Sequence, residues 1–221
     1  GQVNEQFAII DAVSADVPAT AIEALSADPR TVSIFEDYTA EIAGRRSRNP
    51  VVNFPQVMGA DQAWEEGVKG KRITVAVVDT GIAPMSWNNH RVIARYDALD
   101  DGPRKKDPNG HGTMMASLIG NSQKDENGFM GIAPKVKFVD VRVLGSDGSG
   151  SYADIIEGLN WVLENKDEYN IRVVNLSLLA AVNSPYWADP INQAVEALWD
   201  AGIVVVVAAG NAGSDPMTIS V

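Results

Sequence analysis

Cysteine is absent from the chain, which rules out disulfide cross-links, thiolate nucleophiles and cysteine-based zinc centres together. Histidine is scarce. There are two in 221 residues, so imidazole chemistry can arise only at His90 or His111. Positive charge is in deficit as well: 18 Lys and Arg stand against 29 Asp and Glu, a net charge of −11. A surface with that acidic excess is poorly suited to release the counterions that drive nucleic-acid binding, so no nucleic-acid partner is expected. Nor is there an apolar run of about 18 residues, the length that a membrane span requires, and the first residues carry no secretory apolar stretch. No membrane partner is expected. What the chain does have is material for a core. It is 45% hydrophobic, enough for one globular domain with a smaller appendage.

Four apolar, β-branched runs stand out: "ITVAVVD" at 73–79, "KFVDVRVL" at 137–144, "RVVNLSL" at 172–178 and "IVVVVAA" at 203–209. Each predicts a buried strand. Helix-length stretches lie between them at 111–120, 152–165 and 189–201, the second with Ile155, Ile156, Leu159 and Val162 on one face. Strands alternating with helices predict an α/β fold, a parallel sheet with helices on both faces. In such sheets function gathers beyond the carboxyl ends of the strands. Residues 1–43 have a different texture. "NEQFAIIDAVSADVP", "ATAIEALSADP" and "RTVSIFED" predict strand, short helix and strand, with Pro18 near the helix start. Residues 44–50, "GRRSRNP", form a short basic run ending in proline, which predicts an exposed linker ahead of the main unit at 51–221.

Three polar residues fall where that architecture would put chemistry. Asp79 closes the first strand, ahead of Thr80 and Gly81. Alone it reads first as a turn or cap residue, and an aspartic protease would need a second "DTG" that the chain does not have. His111 sits in "NGHGT" between Gly110 and Gly112, at a predicted strand-to-helix corner. Alone it could be packing; paired with Asp79 it becomes an imidazole whose Nδ1 hydrogen meets a carboxylate and whose Nε2 can take a proton. Asn211, in "AAGNAG", is either a turn residue or an amide donor suited to a developing oxyanion.

Taken together, "VAVVDTGI", "NGHGT", "VRVLGSDGSGSYADIIEGLNWV", "VVNLSL" and "VVVVAAGNAG" resemble, in order and spacing, the subtilisin-like serine proteases, from about Val51 to the last residue. "LSADPRTVSIFEDY" resembles the second half of the inhibitory propeptide that precedes such enzymes, so residues 1–43 are expected to be part of a small α+β propeptide module. The resemblance implies peptide-bond hydrolysis through an acyl-enzyme, with no cofactor for catalysis. Asp79 would orient the imidazole, His111 would act as general base and then general acid, and Asn211 would be the oxyanion donor. Gly148, Ser149, Gly150 and Tyr152 would form one rim of the substrate site, and Ser177, Leu178, Leu179 and Ala180 the other. Ala209 and Gly210 lie near the pocket, and a peptide would enter between the rims as an added strand.

The stretch 120–131 matches the place of a calcium loop in relatives, with Asn121, Asp125 and Asn127 as possible oxygen ligands. Departures from the family pattern are Leu179 and Ala180 in place of two glycines, Ser117 in place of a glycine and Met114 in place of a second histidine. The family's nucleophilic serine, in a "GTS" segment beyond the asparagine, does not occur before the chain ends in "DPMTISV". The expectation is therefore an internal portion of a longer secreted proform, extracellular or periplasmic. Its partners would be protein or peptide substrates, its own propeptide and a missing C-terminal segment, the cut site would lie near 43–49, and this stretch alone would be inactive. The competing expectation is a pseudo-protease that holds peptides without cutting them.

Overall fold

The structure, a computed structural model, describes residues 1–42, 53–99, 106–181 and 183–211. In chain order the elements are β1 (Gln2–Phe7), β2 (Ala12–Asp16), α1 (Ala19–Ser26), β3 (Thr39–Ile42), α2 (Phe54–Val57), α3 (Ala60–Glu65), β4 (Thr74–Asp79), β5 (Val92–Asp97) and α4 (His111–Gly120). They continue with β6 (Lys124–Asp125), β7 (Gly128–Phe129), β8 (Lys137–Arg142), β9 (Ser149–Ser151), α5 (Tyr152–Asn165), β10 (Ile171–Leu176), β11 (Leu178–Ala180), α6 (Pro190–Asp200) and β12 (Val204–Val207). Five strands make a parallel sheet in the order β12-β10-β4-β8-β5. This is the expected α/β architecture.

β4 lies at its centre, and every one of its residues is buried. Alternation along it sends Ala76 and Val78 to the core that α5 and α6 cover, with Ile155, Leu159, Ala194 and Leu198. Val75 and Val77 go to the opposite face, with Ala116 of α4, Ile82, Trp87 and Phe138. The helices start where local chemistry dictates. Ser151 and Asp154 form a capping box on α5, the Ser151 hydroxyl accepting from the Asp154 amide. Asp189 caps α6 by accepting from the amides of Ile191 and Asn192, with Pro190 following it. Arg91 fastens the far end of α4. Its guanidinium donates to the carbonyls of Trp87, Gly120, Pro134 and Val136, and desolvation lowers its pKa.

Two departures from the sequence pattern have physical causes. β5, "VIARYD", is a fifth strand that carries charges where a buried strand is expected to be apolar. Those charges are matched across the pair with β8: Arg95 meets Asp140, and Arg142 meets Asp97 at 3.0 Å. Burial pushes the Asp140 carboxyl up to about 7, against the pull of Arg95. The second departure is at the N-terminus, where the expected short helix forms as α1 after Pro18 but the first expected strand is a hairpin and the last does not form. Residues 2–16 fold back on themselves as the antiparallel hairpin β1/β2, turning through Asp11 at φ 50°. The "RTVSIFED" stretch has no regular structure, and Val32 within it is 99% exposed. A strand needs an edge to pair with, and β9 and β11 offer two. Thr39–Ile42, just downstream, takes them. Phe7 and Ile9 join the main core, and the Ile9 amide donates to Asn160 of α5, which seats the hairpin on that helix. The linker at 44–50 lies outside the described residues.

Candidate active site

Asp79 is the last residue of β4, opposite Arg142 in the register with β8. Its carbonyl accepts from the amides of Val143 and Leu144, which locks the strand end against the segment after β8. Its carboxylate accepts from the Thr80 amide at 2.7 Å and faces His111 Nδ1 at 2.8 and 3.0 Å from its two oxygens. Both side chains are buried. The contact exists because two glycines let backbones nearly touch. A Cβ on Gly112 would lie 2.2 Å from the Gly81 carbonyl and 3.1 Å from Asp79 Cβ, so the first turn of α4 rests directly on the turn after β4. Gly110, at φ 95°, provides the left-handed corner that starts the helix. A buried carboxylate at this distance places the imidazole hydrogen on Nδ1, directs Nε2 toward proton transfer and stabilises the imidazolium that results.

Asn211 lies just past β12, two strands across from β4 on the same carboxyl edge of the sheet, and its side chain is exposed. Gly210 before it has φ 103°. The other histidine, His90, is exposed in a left-handed turn at φ 59°.

Between β9 and β11, the segments expected to form the rims, lies a strand of the same chain. β3 pairs antiparallel with β9, Ala40 opposite Gly150 and Glu41 opposite Ser149, and antiparallel with β11, Ile42 opposite Leu178, Glu41 opposite Leu179 and Ala40 opposite Ala180. Ala40 is fully buried there. Tyr152 contributes from one side: its amide donates to the Tyr38 carbonyl, its ring meets Tyr38 edge-on at 5.7 Å, and its hydroxyl reaches Asp189 at 3.3 Å. Gly148 is a turn residue at φ 87°, bonded to the Gly145 carbonyl. Ser177 precedes β11 instead of joining it, and its hydroxyl accepts from Asn175. Ala209 and Gly210 lie beyond the end of β12.

For the loop proposed to hold calcium, Asn121 accepts from the Gln123 amide and Asp125 from the Asn127 amide. The loop closes as the β6/β7 hairpin. Among the described residues no group of three or more His, Asp or Glu is placed to hold a metal. A cation there would depend on amide and carbonyl oxygens. One such oxygen fits: Gln56, whose amide nitrogen donates to the Asn127 carbonyl, keeps its Oε1 buried without a hydrogen-bond partner. Gln56 had no signal in the sequence. Nor did Thr80 and Thr113, the second residue of "DTG" and the third of "HGT", motifs otherwise read for their Asp and His.

The geometry agrees with comparison to known proteins. Residues 70–220 match the subtilase family. The chain is 42% identical over 157 residues, 68% of its length, to serine protease AprX of Bacillus subtilis (strain 168). It is 35% identical over 153 residues, 69% of its length, to minor extracellular protease Epr of the same organism, and 32% identical over 222 residues, all of its length, to subtilisin E. These matches span 36%, 22% and 55% of the respective relatives. With a family match over most of its length and an aspartate and a histidine joined at the carboxyl edge of a parallel sheet, this chain belongs to the subtilase family.

Proposed function

We propose that the protein is a serine endopeptidase, described here in an inhibited proform. The reading is carried by one observation: a buried carboxylate–imidazole pair lies in the same fold as a substrate-type ladder whose central strand is the chain's own Thr39–Ile42. Residues 1–43 are the inhibitory module, 44–50 the processing junction and 51–221 a portion of the catalytic domain. The nucleophilic serine comes from outside these residues. Its hydroxyl proton passes to His111 Nε2 as its oxygen bonds the scissile carbonyl carbon. The Asn211 amide donates to the oxyanion, and His111 returns the proton to the departing amine as the carbon–nitrogen bond breaks. Water then repeats the sequence on the acyl-enzyme. Leu178, Leu179, Ala180 and Ala209 give the pocket an apolar lining, which suits apolar or aromatic side chains in exposed loops of proteins with broad selectivity. A secreted setting follows the extracellular relative, and no helix among the described residues is long and apolar enough to cross a membrane.

Ala40 offers the test. Tryptophan at a fully buried alanine overpacks the ladder by about 1–3 kcal/mol, a roughly 10- to 100-fold weakening of the strand's hold on the cleft. Full-length protein carrying Ala40→Trp is expected to react with a fluorophosphonate probe and to turn over a protein substrate sooner than wild type. Equal rates would remove the inhibited-proform reading. Full-length protein that never labels at any serine would remove the peptidase and leave a peptide-holding module.

Structural calcium in the 121–131 loop, held by oxygens of Asn121, Asp125, Asn127 and Gln56, belongs to the same proposal. A hard cation would supply charge for carbonyl oxygens and no chemistry to the reaction. Chelator is expected to lower the melting temperature of the chain. An unchanged melting temperature sinks the site.

A further inference from the structure

We propose that Asp107 is a positioning residue for the Asp79–His111 pair, acting through the hydroxyls of Thr80 and Thr113. Four positions before the histidine, its carboxylate collects donors from two directions. Oδ1 accepts from the Thr80 hydroxyl at 2.9 Å and from the amides of Gly110 at 2.7 Å and Asn109 at 3.2 Å. Oδ2 accepts from the Thr113 amide at 2.9 Å and from the Thr113 hydroxyl. One of those threonines follows Asp79 directly; the other lies in the first turn of the helix that His111 begins.

The threonines are also bonded crosswise. The Thr80 hydroxyl accepts from the Gly112 amide of the helix at 3.0 Å, and the Thr113 hydroxyl accepts from the Ala83 amide, in the segment after β4, at 2.8 Å. A hydroxyl has a single hydrogen to donate. Once its lone pair serves an amide of the opposite segment, that hydrogen must find an acceptor, and for both threonines the acceptor is Asp107. Only an acceptor-only group satisfies all these donors; an amide at 107 would turn an NH2 toward one of them. The backbone entering Asp107 is fixed too, since the Lys106 carbonyl lies 2.5 Å from where a Gly81 Cβ would be. Asp140 stands near enough for the Asp107 charge to help raise its carboxyl. The threonines of the two motifs thus act as the crosspieces that hold a strand end and a helix start in one frame.

The kinetic part of the test rests on the endopeptidase reading, and the spectroscopic part does not. In full-length protein, Asp107→Ala is expected to lower kcat roughly 10- to 100-fold with KM nearly unchanged, as a small misplacement of reacting groups does. Thr80→Val should lose activity in the same way, and Thr80→Ser, which keeps the hydroxyl, should recover most of it. In the 221-residue chain with ¹⁵N-labelled histidine, His90 and His111 give two sets of ring signals. Wild type should hold the Nδ1-H tautomer at His111, and Asp107→Ala should mix in the Nε2-H tautomer well below its melting temperature. A folded Asp107→Ala variant with the wild-type tautomer ratio overturns the proposal, as does wild-type kcat. If that variant does not fold, the Thr80→Val and Thr80→Ser pair decides by the same tautomer ratio: a difference supports the frame and identity overturns it. Full-length wild type without hydrolysis would end the endopeptidase reading and leave the tautomer result to judge Asp107.

Discussion

Asp79→Asn is expected to lower kcat of the full-length protein about 10⁴-fold, the cost of an imidazole held in the wrong tautomer. The reason lies in which oxygen is already engaged. Oδ1 takes the Thr80 amide at 2.7 Å, so an asparagine would keep its carbonyl there and set its NH2 at the position of Oδ2, 3.0 Å from His111 Nδ1. A donor facing Nδ1 forces that nitrogen to accept. The ring hydrogen then moves to Nε2, the atom that must receive the proton of the nucleophile. KM should change little, because the ladder proposed to bind the peptide is untouched. A variant within about tenfold of wild type in kcat would rule out the pair as the catalytic dyad.

The second large effect is expected from a single methyl group. Gly112→Ala places a carbon 2.2 Å from the Gly81 carbonyl and 3.1 Å from the Gly81 amide. These are backbone atoms in buried turns and cannot swing aside, so the start of α4 must back away by about 1 Å, carrying His111 with it. Displacement on that scale costs roughly 10²-fold in rate, and the strain costs about 1–3 kcal/mol in stability. Urea unfolding of the chain and kcat of the full-length protein measure the two separately. Wild-type values for both would mean that the helix does not rest on the strand turn as tightly as its glycines imply.

The parts of the fold that were legible in the sequence are those whose cause is local. α5 runs Tyr152–Asn165, the span its apolar face defines, because Ser151 and Asp154 close its first turn within four residues. β4 and β12 sit within their β-branched runs. β5 was hidden because its legitimacy comes from another strand: Arg95 and Asp97 are acceptable in a sheet only when Asp140 and Arg142 stand opposite, and no pattern along one strand reveals that. The N-terminal segment misled for a related reason. "RTVSIFED" has strand composition, but pairing is decided by edges elsewhere, and β3 won them. At the site, Asp79 and His111 were visible through the glycines that surround them. Asp107 was not, since its meaning depends on a threonine hydroxyl 27 positions away.

The two rims have a consequence for the life of the protein outside catalysis. Among the described residues β9 and β11 have no strand partner other than β3 in their sheet, so each is an open edge whenever that strand departs. Exposed edges recruit any extended backbone, including that of a neighbouring copy. On the endopeptidase reading, a site that accepts peptides broadly is therefore also a site for self-association. In the structure Thr39–Ile42 of the same chain covers both edges. Release of that segment and crowding of the released molecules work against each other, and concentrated storage is safest with β3 in place.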